Sequence, residues 1–249
     1  MTTGRAAALV ATAIAIAGCG SSSKPTLTVS AAASLQKAFT TYGQQFTQAT
    51  ARFSFAGSDA LAAQIEQGVK PDLFASANTK LPDTLYAKGL VDKPVVFTAN
   101  KLVLAVPAGS TKVASLADVE KPGVALVIGT PTVPVGDYTD KVLARLMPAQ
   151  RKAITANVRD READVTGIVG KLTQGAADAG FLYATDIKAA GGKLEAIDLP
   201  AGLQPQVAYG IAVVKGSSHS AQAHQFIDGL LSGKGRGDLL ADGFLPPPG

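Results

Sequence analysis

Apolar and polar positions alternate along this chain in two rhythms, and the switches between them mark its elements. Residues 27–29 (Leu27-Thr28-Val29) read as a short buried strand; after it Leu35, Ala38, Phe39, Tyr42 and Phe46 recur at helical spacing. Between them lies Ala31-Ala32-Ala33-Ser34, so a strand runs through small residues into a helix with Ser34 at the N-cap. The pattern returns. Residues 52–56 alternate like a strand, break at Gly57-Ser58, and lead into a helix over 59–67 closed by Gly68. Residues 70–77 predict the next strand and its turn, 81–88 a helix ended by Gly89, and 95–98 and 102–106 two further strands. A helical turn over 115–120 precedes an apolar strand, 124–128. That strand enters the loop 129–136 and a helix over 137–147.

A fourth helix start falls at Arg161-Glu162-Ala163-Asp164-Val165. Val165, Ile168, Val169 and Leu172 lie on one face of that helix, which stops at Gly175. Residues 178–183 read as a buried strand, and 194–199 and 207–214 as two more. Ala223, Phe226, Ile227, Leu230 and Leu231 mark a long helix, a shorter one ends before Gly243, and the Pro246-Pro247-Pro248 tail is expected to be loose. Strands alternating with helices predict an α/β protein with largely parallel sheets.

The first residues differ. One Arg, an apolar stretch from Ala6 to Ala17 and then Gly18-Cys19 have the form of a secretory signal, too short for a stable span. Ile16-Ala17-Gly18-Cys19 resembles a bacterial lipobox. The resemblance implies a signal peptide over 1–18, lipidation of Cys19 and a polar tether over 19–26, placing the protein on the outer face of the cytoplasmic membrane.

The 249 residues have room for two lobes, and 47% hydrophobic with 17% charged residues is a globular composition. The net charge of +4 is thinly spread, with no basic run and no Trp, so neither a phosphate-tracking stripe nor a stacking platform for nucleic acid is present. Two histidines (His219, His224) and one cysteine are too few for a His/Cys metal centre, and no cofactor is expected.

A helix start leaves amides unpaired and carries the positive end of the helix dipole. Repeated starts bearing Ser34, Ser58, the Val135 loop, Val165 and Tyr183 therefore suit a small anion at the carboxyl ends of strands. Hydroxyls and amides can all donate there without adding charge, which suits a fully deprotonated oxyanion, a group that can only accept.

With Ala31-Ala32-Ala33-Ser34-Leu35, Phe55-Ala56-Gly57-Ser58, Pro71-Asp72-Leu73-Phe74-Ala75-Ser76-Ala77, Val133-Pro134-Val135-Gly136-Asp137-Tyr138 and Gly180-Phe181-Leu182-Tyr183 in this order, the chain resembles the molybdate-binding proteins of bacterial ABC importers, of the type II periplasmic-binding superfamily. The likeness spans about residues 27–245. It implies a two-lobed fold with mixed, mostly parallel sheets, lobe I being 27–100 with 208–249 and lobe II 101–207, hinged by two crossing strands. It implies that Ser34 and Ser58 give hydroxyl and amide donors, Val135 and Val165 main-chain N–H, and Tyr183 its hydroxyl, to molybdate and also tungstate. The expected partners are an ABC permease with its ATPase subunit, for a monomeric receptor that is not an enzyme.

Val135 stands where that family usually has Ala, and Asp59 and Asp137 put carboxylates near an anion. Both acids are expected to face solvent, Asp137 pairing with Lys141; an inward Asp59 would instead accept a proton from phosphate. The same fold holding sulfate, phosphate or an organic anion is the alternative. A serine hydrolase is remote, because the only histidines lie near the C-terminal helix and no Gly-x-Ser-x-Gly elbow occurs.

Overall fold

The computed structural model describes residues 1–2 and 24–248; the expected signal peptide, Cys19 and most of the tether lie outside the described residues. Strand β1 (Thr26–Ala32) is followed by a 3₁₀ turn (Ala33–Leu35) and α1 (Gln36–Gln45). Then come β2 (Thr50–Ala56), α2 (Ser58–Glu66), β3 (Leu73–Ser76), α3 (Lys80–Ala87) and β4 (Val95–Asn100). The middle of the chain holds β5 (Leu102–Pro107), β6 (Leu126–Gly129), α4 (Pro134–Ala144), α5 (Pro148–Ala156), β7 (Val158–Glu162), α6 (Val165–Thr173), β8 (Ala179–Tyr183), α7 (Ala184–Ala189) and β9 (Leu194–Asp198). Strand β10 (Val207–Val213), α8 (Ser220–Ser232) and α9 (Lys234–Ala241) close it.

Two five-stranded sheets result, in the orders β2-β1-β3-β10-β4 and β7-β6-β8-β5-β9. In each, four strands run one way and one runs against them: β1 is parallel to β2 and β3, and β10 runs antiparallel between β3 and β4. In the second sheet β6 is parallel to β7 and β8, and β5 is antiparallel to β8 and β9. The sheets are therefore mixed, with parallel and antiparallel pairs in equal share. The chain passes from the first sheet to the second at Asn100-Lys101-Leu102 and returns between Asp198 and Val207.

Helices cover both faces, so the central strands are apolar throughout rather than alternating; β3 and β8 are buried at every residue. Under the first sheet Phe39 is wholly buried, its ring 5.7–6.1 Å from those of Phe53, Phe97 and Phe226. Burial of one such side chain contributes about 1.5–3 kcal/mol. α1, α8 and α9 meet at this cluster, fixing the start of α1 against the end of β1.

Three sequence expectations are corrected. Ser34 is not an N-cap: it lies inside the 3₁₀ turn, and its hydroxyl is taken by a tertiary partner, Tyr209. Residues 161–162 end strand β7 instead of opening a helix, and Asp164 is the N-cap of α6. The helix read over 137–147 starts at Pro134, and a separate helix, α5, follows.

Candidate functional site

The carboxyl ends of β1, β2, β3, β6 and β8 face one small void between the two sheets. Ser34, Gly57, Ser58 and Ala77 line it from the first half of the chain, and Val133, Val135, Asp164, Val165 and Tyr183 from the second. All five residues singled out in the sequence (Ser34, Ser58, Val135, Val165 and Tyr183) are thus brought together.

Each is positioned by a strand-to-helix junction. Ser58 opens α2 behind Gly57, and no side chain caps that helix, so its first amides have no intrahelical partner. The Ser58 hydroxyl, 1% exposed, accepts the Ala77 N–H at 3.1 Å, which leaves its own hydrogen for the void. Pro134 is the first residue of α4 and has no N–H, so Val135 supplies the first amide, again without a side-chain cap. At α6 the Asp164 carboxylate accepts Thr166 N–H (2.8 Å) and Gly167 N–H (3.3 Å), so the Val165 N–H is not consumed by the cap.

Tyr183 ends β8. It is 1% exposed, and its hydroxyl is buried with no hydrogen-bond partner among the described residues. Burial pushes the phenol far above its ordinary pKa, so it stays a neutral donor. Its backbone N–H is held by Asp186 Oδ2 at 2.9 Å. Burial raises the Asp186 carboxyl to about 7, the nearby Asp164 charge adding to the effect.

No Lys or Arg lines the void, and Asp164 is its acid. The donors are therefore neutral hydroxyls and helix-start amides, and what they can hold is an acceptor-only group. The void measures about 10 Å³, on the scale of one water. Its narrowness disfavours sugars and large organic acids. Among the described residues no group of His, Cys, Asp and Glu is disposed to hold a metal ion.

The other acids point away. Asp59 sits on the rim, its Oδ1 accepting Ala60 N–H at 2.9 Å and its Oδ2 accepting the Thr132 hydroxyl of the opposite half at 2.5 Å. Asp137 pairs with Lys141 at 2.7 Å, one helical turn on. His219 lies at the far end of the first sheet, its Nδ1 3.2 Å from Asp72 Oδ1, which also accepts the Ser217 hydroxyl. Burial would raise Asp72, but the bonds from Ser217, Thr28 and His219 outweigh it and hold its pKa below the ordinary carboxylate value. Asp72 precedes β3 whereas the void follows β3, so this histidine is no base for Ser34 or Ser58.

Sequence reasoning missed Asp164, Tyr209 and Asn100. Asp164 carried a signal, an Asp directly before an apolar helical stripe. The other two carried none.

The family model for bacterial extracellular solute-binding proteins matches residues 27–245. The molybdate-binding protein ModA of Mycobacterium tuberculosis is 36% identical over 227 residues, covering 89% of this chain and 85% of that one. ModA of Haemophilus influenzae is 32% identical, covering 94% and 96%. Among solved structures, the periplasmic molybdate-binding protein of Azotobacter vinelandii superposes with a TM-score of 0.79 over 89% of this chain and 100% of its own, at 22% identity, and so speaks for the fold.

Proposed function

Since the chain belongs to the family of bacterial extracellular solute-binding proteins, a family of receptors and not of enzymes, we propose that it captures molybdate, and tungstate with it, in the void between its sheets. Ser34 and Ser58 donate from one lobe (27–100 with 208–249). Val135 N–H, Val165 N–H and the Tyr183 hydroxyl donate from the other (101–207). Closure about the two crossings completes the shell and makes the shape offered to an ABC permease. Cys19, acylated, anchors the receptor by its tether to the outer face of the membrane.

The observation that carries this reading is the Tyr183 hydroxyl. A buried phenol oxygen without a partner costs about 1–3 kcal/mol, and Tyr183 lines a void otherwise ringed by donors. An acceptor-only tetrahedral dianion relieves that cost. Relatives bearing the name molybdate-binding protein supply the identity of the anion.

Thermal unfolding of the full chain in mild detergent tests it, with molybdate, tungstate, sulfate and phosphate in turn. Ligand at a hundred times its Kd adds about 2.7 kcal/mol, a rise of roughly 5–11 °C for a chain of this size. A rise with molybdate and tungstate alone is expected; a rise with phosphate alone would overturn the reading. The narrowness of the void favours sulfate as the second reading, and sulfate shares the charge and shape of molybdate at smaller size.

A further inference from the structure

Beneath Ser34 lies a buried polar chain whose hydrogen bonds reach the void's walls through that serine, while the Tyr209 ring packs edge-on against Tyr183 at 5.9 Å. Asn100, 4% exposed, ends β4 where the chain leaves the first sheet. Its Oδ1 accepts the Lys101 N–H at 2.9 Å, which fixes the amide's orientation. The Nδ2 group, which can only donate, then faces the Thr185 hydroxyl oxygen at 2.8 Å and the Tyr209 hydroxyl oxygen at 3.3 Å. Tyr209 is wholly buried on β10, and its oxygen lies 2.9 Å from Ser34 Oγ. Tyr209 accepts from Asn100, and among the described residues Ser34 Oγ is the one acceptor within reach of the buried phenol's own hydrogen, so we read the phenol as donating to Ser34. The serine oxygen is thereby an acceptor toward Tyr209, and its hydrogen is left to turn into the void.

We propose that Asn100 and Tyr209 are positioning residues that set the Ser34 hydroxyl as a donor, and so bias the site toward oxyanions that carry no proton. The inference rests on the reading of the void as an oxyanion site. The polarity runs one way: amide N–H to phenol, phenol O–H to serine, serine O–H to anion. Ser58 reaches the same state by a different partner, since it accepts a backbone N–H that cannot reverse. Ser34 depends on a phenol that could donate or accept; Asn100 fills one of its two lone pairs and so weights it toward donation. Without Tyr209 the serine oxygen regains a free lone pair, able to receive the proton of hydrogen phosphate. Burial raises the Tyr209 phenol well above its ordinary pKa, keeping the relay protonated at every physiological pH.

A double-mutant cycle on the full chain in detergent tests this, with calorimetric titration of sodium molybdate and competition by sodium phosphate. Loss of one oriented hydrogen bond predicts that Tyr209→Phe weakens molybdate binding about three- to tenfold in the protein carrying Ser34, but less than about twofold in the Ser34→Ala background. The ratio of phosphate to molybdate Kd should narrow in Tyr209→Phe and not in Ser34→Ala. Equal losses in both backgrounds, or no loss at all, overturn the relay while leaving the anion site standing. Ser34→Ala with unchanged molybdate affinity overturns the site reading and the relay together. If Tyr209→Phe does not fold, Asn100→Ala gives the same selectivity readout: a narrowed ratio supports the relay and an unchanged ratio overturns it.

Discussion

At one place the two halves approach so closely that a residue with no side chain stands there. Gly57 has ordinary angles for any residue (φ −57°, ψ 135°), so nothing in its backbone requires glycine. Yet a Cβ built there would lie 2.5 Å from the Ala163 carbonyl oxygen of the opposite lobe, about 0.9 Å short of ordinary contact. Gly57→Ala therefore holds the lobes apart by nearly an ångström at the point where they meet. A charge-assisted hydrogen bond of 2.7–2.9 Å lengthened by that much is no longer one. In the site proposed above, the anion would then stay with Ser34 and Ser58 or with Val135, Val165 and Tyr183, but not with both sets. Each bond of this kind contributes about 1.5–3 kcal/mol. Partial relaxation of the rim keeps the expected loss near 3 kcal/mol, about a hundredfold in Kd. Calorimetry suits the measurement, since the chain has no Trp to report closure. The unliganded protein should lose no more than about 1 kcal/mol, the cost of Ala at an N-cap. A Kd within about threefold of the parent would refute closure against Ala163 as a condition of binding.

Ser58→Ala should act twice: it removes one donor, weakening molybdate about tenfold to a hundredfold, and it leaves the buried Ala77 N–H unpaired. The unliganded Tm should then fall by several degrees, and an unchanged Tm would show that this bond contributes nothing to the fold. Asp186 sets a pH dependence. Its folded pKa, about 7, is above the ordinary carboxylate value of 3.8, so the folded state binds more protons in that interval and stability falls as pH rises from about 4 to about 7. Asp186→Asn, which keeps an oxygen for the Tyr183 N–H, should flatten the Tm-against-pH profile there; a profile as steep as the parent's would remove Asp186 as its cause.

The anion-ready junctions were legible in the sequence because their signals are local. A short strand, small residues, a serine and an amphipathic helix all fall within about twenty positions at Ser34 and again at Ser58. Strand β7 was not legible: Val158-Arg159-Asp160-Arg161-Glu162 pairs only with β6 at the sheet edge, and its side chains are mostly solvated, so no apolar alternation survives. Helix α5 buries only Ile154, too little for a helical stripe. Ser34 followed the rule for caps until a partner 175 residues away claimed its hydroxyl. Tyr209 read correctly as part of a strand, but nothing near it in sequence points to Ser34 or Asn100.

The insertion of β10 between β3 and β4 has a consequence for how the chain is made. β4 has no ladder partner except β10, and β3 has β1 on one side only until β10 arrives. Residues 102–198 carry the whole second sheet without interruption, so its strands can pair as they emerge. The first sheet must instead keep two apolar edges open while about a hundred residues are synthesised and exported. Open edges of this kind recruit other strands, and the closing pairings are among the longest-range in the protein, hence slow. Ending the chain before Val207 would not trim the molecule; it would leave the first sheet split down its middle.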